Sequence, residues 1–183
     1  MIRFRPIQRT DLPTLSRWLD APHVRRWWAD PSDLASLEAA YGPSIDGDDP
    51  TEVFIASDGD GDFGLIQRYA YGGEPEYARE LAEIIPVTDG DWSIDYLIGD
   101  ADRIGAGLGT AMIRAFIELL STDHPDVRRV VVPVHAENER SWRALRRAGF
   151  RLAARGELDP DNPADTRDHV VMEYRPPIAG PSS

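Results

Sequence analysis

The sequence predicts an α/β fold in which helices flank a mixed, mostly antiparallel central sheet of six to seven strands. Short segments with period-two apolar alternation, such as Ser93–Gly99, recur along the chain, and this alternation is typical of strands. Apolar residues at helical spacing cover Leu108–Leu120. A length of 183 residues with 42% hydrophobic residues suits one core. We therefore expect one domain over residues 1–175 and a disordered tail over 176–183.

The first half of the chain predicts a strand, a pair of helices and a β-hairpin. Thr10 and Ser32 precede the two longer helices, and both are residue types that cap helix N-termini. The acidic, glycine-rich segment Asp58–Asp62 predicts the hairpin turn. The expected elements are a strand over Ile2–Pro6, a helix over Asp11–Leu19 that buries Leu12, Leu15, Trp18 and Leu19, a helical turn over Pro22–Trp28, a helix ending at Tyr41, and strands over Glu52–Ser57 and Phe63–Tyr71.

The second half alternates strands with helices. Pro133 lies within a buried strand, and because proline has no N–H to give a ladder, we expect a bulge or a splay there. Asn138 is expected to cap the last helix and Gly149 to close it. The expected elements are an irregular helix over Glu76–Ile85, strands over Ser93–Gly99, Arg128–Val134, Phe150–Ala154 and His169–Arg175, and helices over Leu108–Leu120 and from Asn138 to Ala148.

Composition excludes several kinds of function. Twenty basic and 32 acidic side chains give a net charge of −12, which opposes binding to nucleic acid or an anionic membrane and favours cationic partners. Carboxylates in surplus can also serve solubility alone. Cysteine is absent and the four histidines are scattered, so no metal site is expected. Without a long apolar segment or a signal-peptide core, the expected location is cytoplasmic.

A glycine-rich turn between a strand and a helix is the strongest local motif. Gly105, Gly107 and Gly109 lie in the segment Ile104–Thr110, just before the amphipathic helix. Glycines at a helix N-terminus let backbone amides approach an anion, and the helix dipole adds positive potential. The spacing fits neither a P-loop nor a dinucleotide-binding fingerprint. From spacing alone, a phosphate site and a purely structural turn remain equal alternatives.

Asp95 interrupts an otherwise apolar strand. Alternation places it on one face with Leu97, while Ile94 and Tyr96 lie on the other. A carboxylate at such a position is either a solvated edge residue or a buried functional group. A proton acceptor that works near neutral pH in a chain without cysteine is most readily a carboxylate.

The order of these motifs resembles the GNAT superfamily of N-acetyltransferases. The resemblance rests on Gly107-Leu108-Gly109 after a strand, on Asn138, and on Ala148-Gly149-Phe150. It implies acetyl-CoA as co-substrate and a sheet splayed between strands 4 and 5, where Pro133 suits the entry of the pantetheine arm. Ile104 replaces the family's arginine or glutamine, so backbone donors must hold the cofactor. The implied cofactor-binding residues are Ile104, Gly105, Ala106, Gly107, Leu108, Gly109, Thr110 and Asn138.

Further segments are similar to the aminoglycoside 6'-N-acetyltransferases, and they cover most of the chain. They are His23 to Trp28, Tyr41 to Ser44, Gly64 to Tyr69, Ile94-Asp95, and Gly107 to Leu120. This resemblance implies that Asp95 contacts the reacting amine as the catalytic base. It also implies that Gln67 and Tyr69 face the substrate, and Trp28 and Tyr41 are further candidates for substrate contact. Because adjacent helical residues diverge by about 100°, we expect one of Trp27 and Trp28 to face the ligand and the other to face the core. The acidic residues Glu74, Glu76, Asp89 and Asp91 could concentrate a polycation near the cleft.

Two departures from the family leave alternatives open. Leu145 stands where many members place a tyrosine that protonates the leaving thiolate, and Pro133 replaces a carboxylate. A siderophore-type lysine or hydroxylysine N-acyltransferase and a non-catalytic acyl-CoA-binding module are the alternative functions. The expected partners are acetyl-CoA and a cationic small molecule, such as an aminoglycoside or another polyamine, with the chain a monomer or homodimer.

Overall fold

The computed structural model describes residues 1–160, 162 and 165–177, so most of the expected tail over 176–183 lies outside the described residues. The predicted α/β fold is confirmed. The strands are β1 Arg3–Pro6, β2 Glu52–Asp58, β3 Gly61–Ala70, β4 Trp92–Ile98, β5 Val130–His135, β6 Arg151–Glu157 and β7 Asp168–Tyr174. The helices are α1 Leu12–Asp20, α2 Pro22–Arg25, α3 Leu34–Asp46, α4 Pro75–Leu81, α5 Leu108–Asp123 and α6 Glu139–Ala148.

The seven strands form one mixed sheet in the order β1-β2-β3-β4-β5-β7-β6. The pairs β1–β2, β2–β3, β5–β7 and β6–β7 are antiparallel, while β4 and β5 are parallel. The backbone groups into two compact units, and β4 contributes to both. The first unit holds Met1–Arg68, Asp95–Gly109 and, among the described residues, Asn162 and Asp165, and the second holds Tyr69–Ile94, Thr110–Pro160 and the segment from Thr166.

The core of the first unit forms where α1 packs on the sheet. The predicted apolar face of α1 is buried, and it belongs to one cluster with strand residues such as Ile55, Leu65 and Leu97. Gly99 allows this approach, because a Cβ atom there would lie 2.0 Å from the Trp18 ring. The end of β4 is therefore held directly against α1.

The predicted N-caps of the first unit are wrong. Thr10 lies inside a 3-10 turn, in which the Asp11 carboxylate accepts the backbone N–H of Gln8 at 2.9 Å. Asp11 then takes the N-cap position of α1 without a side-chain hydrogen bond to that helix. Asp33, rather than Ser32, caps α3 by accepting the Ser36 N–H at 3.0 Å. A carboxylate accepts a helix-terminal N–H more strongly than a hydroxyl does. Helix α3 also extends past its expected end at Tyr41, to Asp46.

In the second unit, α6 has the predicted caps. The Asn138 side chain accepts the Ser141 N–H at 3.2 Å, and Gly149 closes the helix at φ 109°. The expected irregular helix over Glu76–Ile85 is the shorter α4. A separate apolar cluster joins α4 to the strands, and it consists of Tyr71, Leu81, Val131, Leu158 and Val171.

The parallel pairing of β4 with β5 is confined to one end. Among the described residues, its register consists of the bridge Trp92↔Val130, as expected for strands that separate. Pro133 pairs with Val171 in an unbroken β5–β7 register. The bulge predicted at Pro133 is therefore absent from that register, because the missing N–H does not interrupt the pairing with β7.

Candidate active site

Asp95 lies half-buried on β4, where a side chain from β3 orients it. The Gln67 side-chain amide donates to Asp95 Oδ2 at 3.0 Å. The strands approach closely here, since a Cβ atom at Gly64 would lie 2.4 Å from the carbonyl oxygen of Leu97. Two residues predicted for the site, 28 positions apart in sequence, are thus brought into contact. A half-buried carboxylate fixed by an amide can still accept a proton or bind a cation.

A second carboxylate, Asp30, joins two other predicted substrate residues. Its Oδ2 atom accepts from the Trp28 indole N–H at 2.8 Å and from the Tyr41 hydroxyl at 3.1 Å. Asp30 was not predicted, because it is one of many acidic loop residues. The signal that could have identified it is its position two residues after Trp28, within reach of the indole nitrogen.

Electrostatics link Tyr41 to both carboxylates. Burial, and then the negative charge of Asp30, raises the pKa of Tyr41 well above its ordinary value, and Asp95 adds a smaller contribution in the same direction. Tyr41 is 5% exposed. Its hydroxyl therefore stays neutral and acts as a hydrogen-bond donor rather than as a base.

The paired tryptophans have different surroundings. Trp28 packs against the core cluster of the first unit while its N–H reaches Asp30. Trp27 instead stacks under the Arg26 guanidinium at 4.1 Å, and Arg26 pairs with Asp165 at 2.6 Å. Trp28 thus packs on the core and also contacts Asp30, whereas we expected the core contact and the ligand contact to fall on different tryptophans.

His23 ties α2 to the end of β4. Its Nε2 atom lies 2.8 Å from the backbone carbonyl oxygen of Ile98, and that contact fits a neutral or charged ring with the proton on Nε2. The aromatic segment that begins at His23 is thereby anchored beside the strand that carries Asp95. Sequence similarity marked this segment as shared with the acetyltransferase family, but it did not predict the hydrogen bond between His23 and the Ile98 carbonyl.

The glycine-rich turn leaves its backbone open. Gly105 at φ 92° and Gly107 at φ 79° adopt the left-handed conformation that favours glycine. Cβ atoms at these positions and at Gly109 would meet nothing within 4 Å, so packing does not require glycine there. The first N–H groups of α5 lack partners within the helix and carry the positive end of its dipole. Open backbone amides beside a helix N-terminus are able to bind a phosphate.

The remaining predicted site residues lie in the second unit. Tyr69 is 8% exposed and meets the Tyr71 ring edge-on at a centroid distance of 6.2 Å. Thr110 lies in the first turn of α5, and Asn138 caps α6. Leu145 is fully buried, which places no proton donor at that position.

Asp91 does not concentrate cations as expected. It is 5% exposed, and its Oδ1 accepts from Arg129 Nε at 3.0 Å.

Within the described part of the chain, no group of three or more histidine, aspartate or glutamate side chains could hold a metal ion. The helices in that part are also too short or too polar to cross a membrane.

Comparison with known proteins agrees with this geometry. Residues 8–158 match the family described as acetyltransferase (GNAT) domain. The aminoglycoside N(6')-acetyltransferase type 1 of Klebsiella pneumoniae is 32% identical over 168 residues, which is 89% of this chain and 80% of that protein. The same identity and coverage hold for the Serratia marcescens protein of that name.

A solved structure of the aminoglycoside acetyltransferase AAC(6')-Ib with coenzyme A and kanamycin superposes with a TM-score of 0.79. It is 28% identical and covers 96% of this chain and 95% of its own. A spermidine N-acetyltransferase from Vibrio cholerae, 16% identical with a TM-score of 0.72 over 95% of each chain, shares the fold. The chain belongs to the GNAT acetyltransferases, in the family of the aminoglycoside 6'-N-acetyltransferases.

Proposed function

We propose that this protein transfers the acetyl group of acetyl-CoA to the 6'-amine of aminoglycosides, a reaction that confers antibiotic resistance. One observation carries the proposal: Asp95, oriented by Gln67 at 3.0 Å, lies on the strand that precedes an open glycine-rich turn. The Klebsiella relative, named for this activity, supports the choice of substrate.

Asp95 serves as the proton acceptor. An aminoglycoside amine is largely protonated near neutral pH, and an ammonium has no lone pair with which to attack a thioester. The carboxylate of Asp95 takes the proton, and the neutral amine can then bond to the acetyl carbon as the C–S bond breaks. The Gln67 amide holds the carboxylate in one orientation while this occurs.

The turn holds the cofactor through backbone groups. The amides of Ile104 to Thr110 and the positive end of α5 bind the pyrophosphate of acetyl-CoA. Ile104 supplies no side-chain donor, so the open backbone at Gly105 and Gly107 provides the contacts. When bound, acetyl-CoA supplies the activated acetyl thioester, and we expect Asn138 to be a further contact to it.

Substrate recognition combines carboxylates with aromatic surfaces. Asp30 is exposed and its orientation is fixed by Trp28 and Tyr41, so it can bind a second ammonium of the same polycation. Trp28 is partly exposed, and its ring supplies an apolar face for a sugar ring. Gln67 and Tyr41 complete the polar contacts.

The leaving thiolate needs no protein acid. Leu145 is fully buried where many relatives place a tyrosine. A thiol with a pKa of about 8.5 is a fair leaving group, and water can protonate it. Turnover in the presence of this leucine separates an enzyme from a non-catalytic acyl-CoA-binding module.

A thiol-release assay with acetyl-CoA tests the proposal directly. Kanamycin and tobramycin are the expected substrates, while lysine, hydroxylysine and a peptide panel serve as comparison amines. Turnover of lysine or hydroxylysine without turnover of either aminoglycoside would identify the siderophore-type alternative. Acetyl-CoA binding without turnover of any amine would identify a binding module.

The variant Gly107→Val tests the cofactor turn. A side chain at φ 79° is strained and blocks the approach of the pyrophosphate, so we expect the acetyl-CoA Kd to rise about tenfold or more. Gly47→Val is the matched control, because Gly47 closes α3 at φ 81° in open space. Equal acetyl-CoA affinity of both variants in calorimetry would contradict the role of the turn.

A further inference from the structure

The parallel ladder between β4 and β5 stops after its first bridge, and the structure suggests why. The Trp92 N–H donates to the carbonyl of Arg129 at 3.0 Å, and the register pairs Trp92 with Val130. In a parallel ladder, every second residue of a strand directs its N–H and C=O toward the same neighbour. Val131 and Pro133 therefore direct their backbone groups toward β4, as Arg129 does.

This register identifies the two bonds that would come next. The Ile94 N–H would donate to the carbonyl of Val131, and the N–H of residue 133 would donate to the carbonyl of Ile94. The second bond has no donor, because residue 133 is proline. The same geometry explains why Pro133 leaves the β5–β7 register intact.

The acceptor of the first bond is already occupied. The Tyr71 hydroxyl donates to the carbonyl oxygen of Val131 at 2.9 Å, and both residues are almost fully buried. The backbone N–H of Tyr71 donates to the Asp91 carbonyl at 2.9 Å, directly before β4 begins. Tyr71 thus spans from the start of β4 to the backbone of β5.

The Tyr71 ring is held firmly in this position. It stacks on Tyr77 at a centroid distance of 5.8 Å and meets Tyr69 edge-on at 6.2 Å. It also belongs to the apolar cluster that contains Val131 and Val171. A buried hydroxyl with so little freedom makes a persistent hydrogen bond, since leaving the buried carbonyl unpaired is costly.

We propose that Tyr71 is a positioning residue that keeps β4 and β5 apart by capping the Val131 carbonyl, with Pro133 removing the second link. Ile94 itself is fully buried, so the pantetheine arm enters between the separated strands beyond it rather than at its backbone. This step rests on the proposed use of acetyl-CoA.

The test combines amide hydrogen exchange with ligand affinity in the full-length protein. Tyr71→Phe removes the cap, and the Ile94 N–H can then donate to Val131. We expect slower exchange at Ile94 and an acetyl-CoA Kd raised about tenfold, while the KM for the aminoglycoside changes less than twofold. Tyr77→Phe, which removes a hydroxyl from the same aromatic cluster, is the matched control and should leave both quantities unchanged.

Pro133→Ala provides a second variant that adds a donor and removes no hydrogen bond. Alone it should slow exchange at Ile94 slightly, and combined with Tyr71→Phe it should slow exchange more than the sum of the single effects. Unchanged exchange at Ile94 in the double variant would overturn the proposal. So would a Tyr71→Phe variant that weakens acetyl-CoA and aminoglycoside equally while its Tm falls.

Failure of the proposed function gives a different result. If the wild-type protein does not bind acetyl-CoA, the assigned co-substrate is wrong. The exchange rates at Ile94 still decide whether Tyr71 holds the strands apart, because that readout needs no ligand.

Discussion

Two carboxylates of the first unit have different hydrogen-bond partners from two carboxylates of the second unit. In the first unit, Asp30 accepts from an indole N–H and a phenol, and Asp95 accepts from the Gln67 amide. In the second unit, Asp91 and Glu173 are buried against arginines. Neutral donors orient a carboxylate without cancelling its charge, whereas a guanidinium neutralises it.

The arginine-bound carboxylates form a structural network. Arg129 contacts both Asp91 and Glu173, and Glu173 also pairs with Arg151 and Arg175. This network joins the start of β4 to β5 and β7. The acidic residues of the sequence therefore differ in what holds them. Asp30 and Asp95 accept hydrogen bonds from neutral donors and can bind a cation, whereas Asp91 and Glu173 are already paired with arginine.

The largest expected effect is on catalysis. Asp95→Asn keeps the hydrogen-bonding shape but cannot accept a proton, so kcat should fall by about 10² to 10⁴. The thiol-release assay measures this fall, and thermal unfolding should give a Tm close to that of the wild type. A near-normal kcat would remove Asp95 from the role of base and would break the distinction between the two groups of carboxylates.

The converse variant, Asp91→Asn, should affect stability instead. The variant removes a negative charge that pairs with the buried guanidinium of Arg129, so the free energy of unfolding should fall by about 3 kcal/mol. Urea denaturation measures the change, and the folded fraction should keep its kcat and KM. A change in KM for the aminoglycoside at unchanged stability would show that Asp91 belongs to the cation-binding group.

The pH dependence of stability has a definite sign at Asp91. Burial acts to raise the pKa of Asp91, but hydrogen bonds from Arg129 and from the backbone of Thr88 outweigh it and hold the pKa below its ordinary value. The stabilising contribution is therefore complete above the unfolded pKa and is lost as the pH falls through the lower folded value. Asp91→Asn should accordingly flatten the acid limb of a stability profile measured below about pH 4.

The smallest expected effect concerns Asp30. Because this carboxylate is exposed, Asp30→Asn should raise the aminoglycoside KM about fivefold, the upper range for an exposed ion pair, with little change in kcat. Asp48→Asn, at an exposed loop position of the same unit, is the matched control for net charge. Equal KM values for the two variants would reduce Asp30 to a structural partner of Trp28 and Tyr41.

Local sequence was informative wherever all the residues that define a structural feature are adjacent in the chain. The glycines of the turn precede an amphipathic helix, and Asn138 and Gly149 bracket α6, so these features could be predicted from adjacent residues. The cap at Asp33 was missed by one position, because Ser32 and Asp33 are both good capping residues and geometry selects between them.

Contacts between distant residues could not be predicted in this way. The bond between Gln67 and Asp95 spans 28 positions, and the bond between Tyr71 and Val131 spans 60. Asp30 and Asp91 look alike in sequence, and only the side chains that fold against them separate a cation-binding carboxylate from a paired one.

The sequence by itself determined the α/β fold, the glycine-rich turn and the presence of a carboxylate on the central strand, because periodicity and residue type act locally. The tertiary structure decided which carboxylates are already paired with arginine and where the sheet opens. Those properties depend on which hydrogen-bond donor reaches each oxygen, and that is fixed only when distant segments pack together.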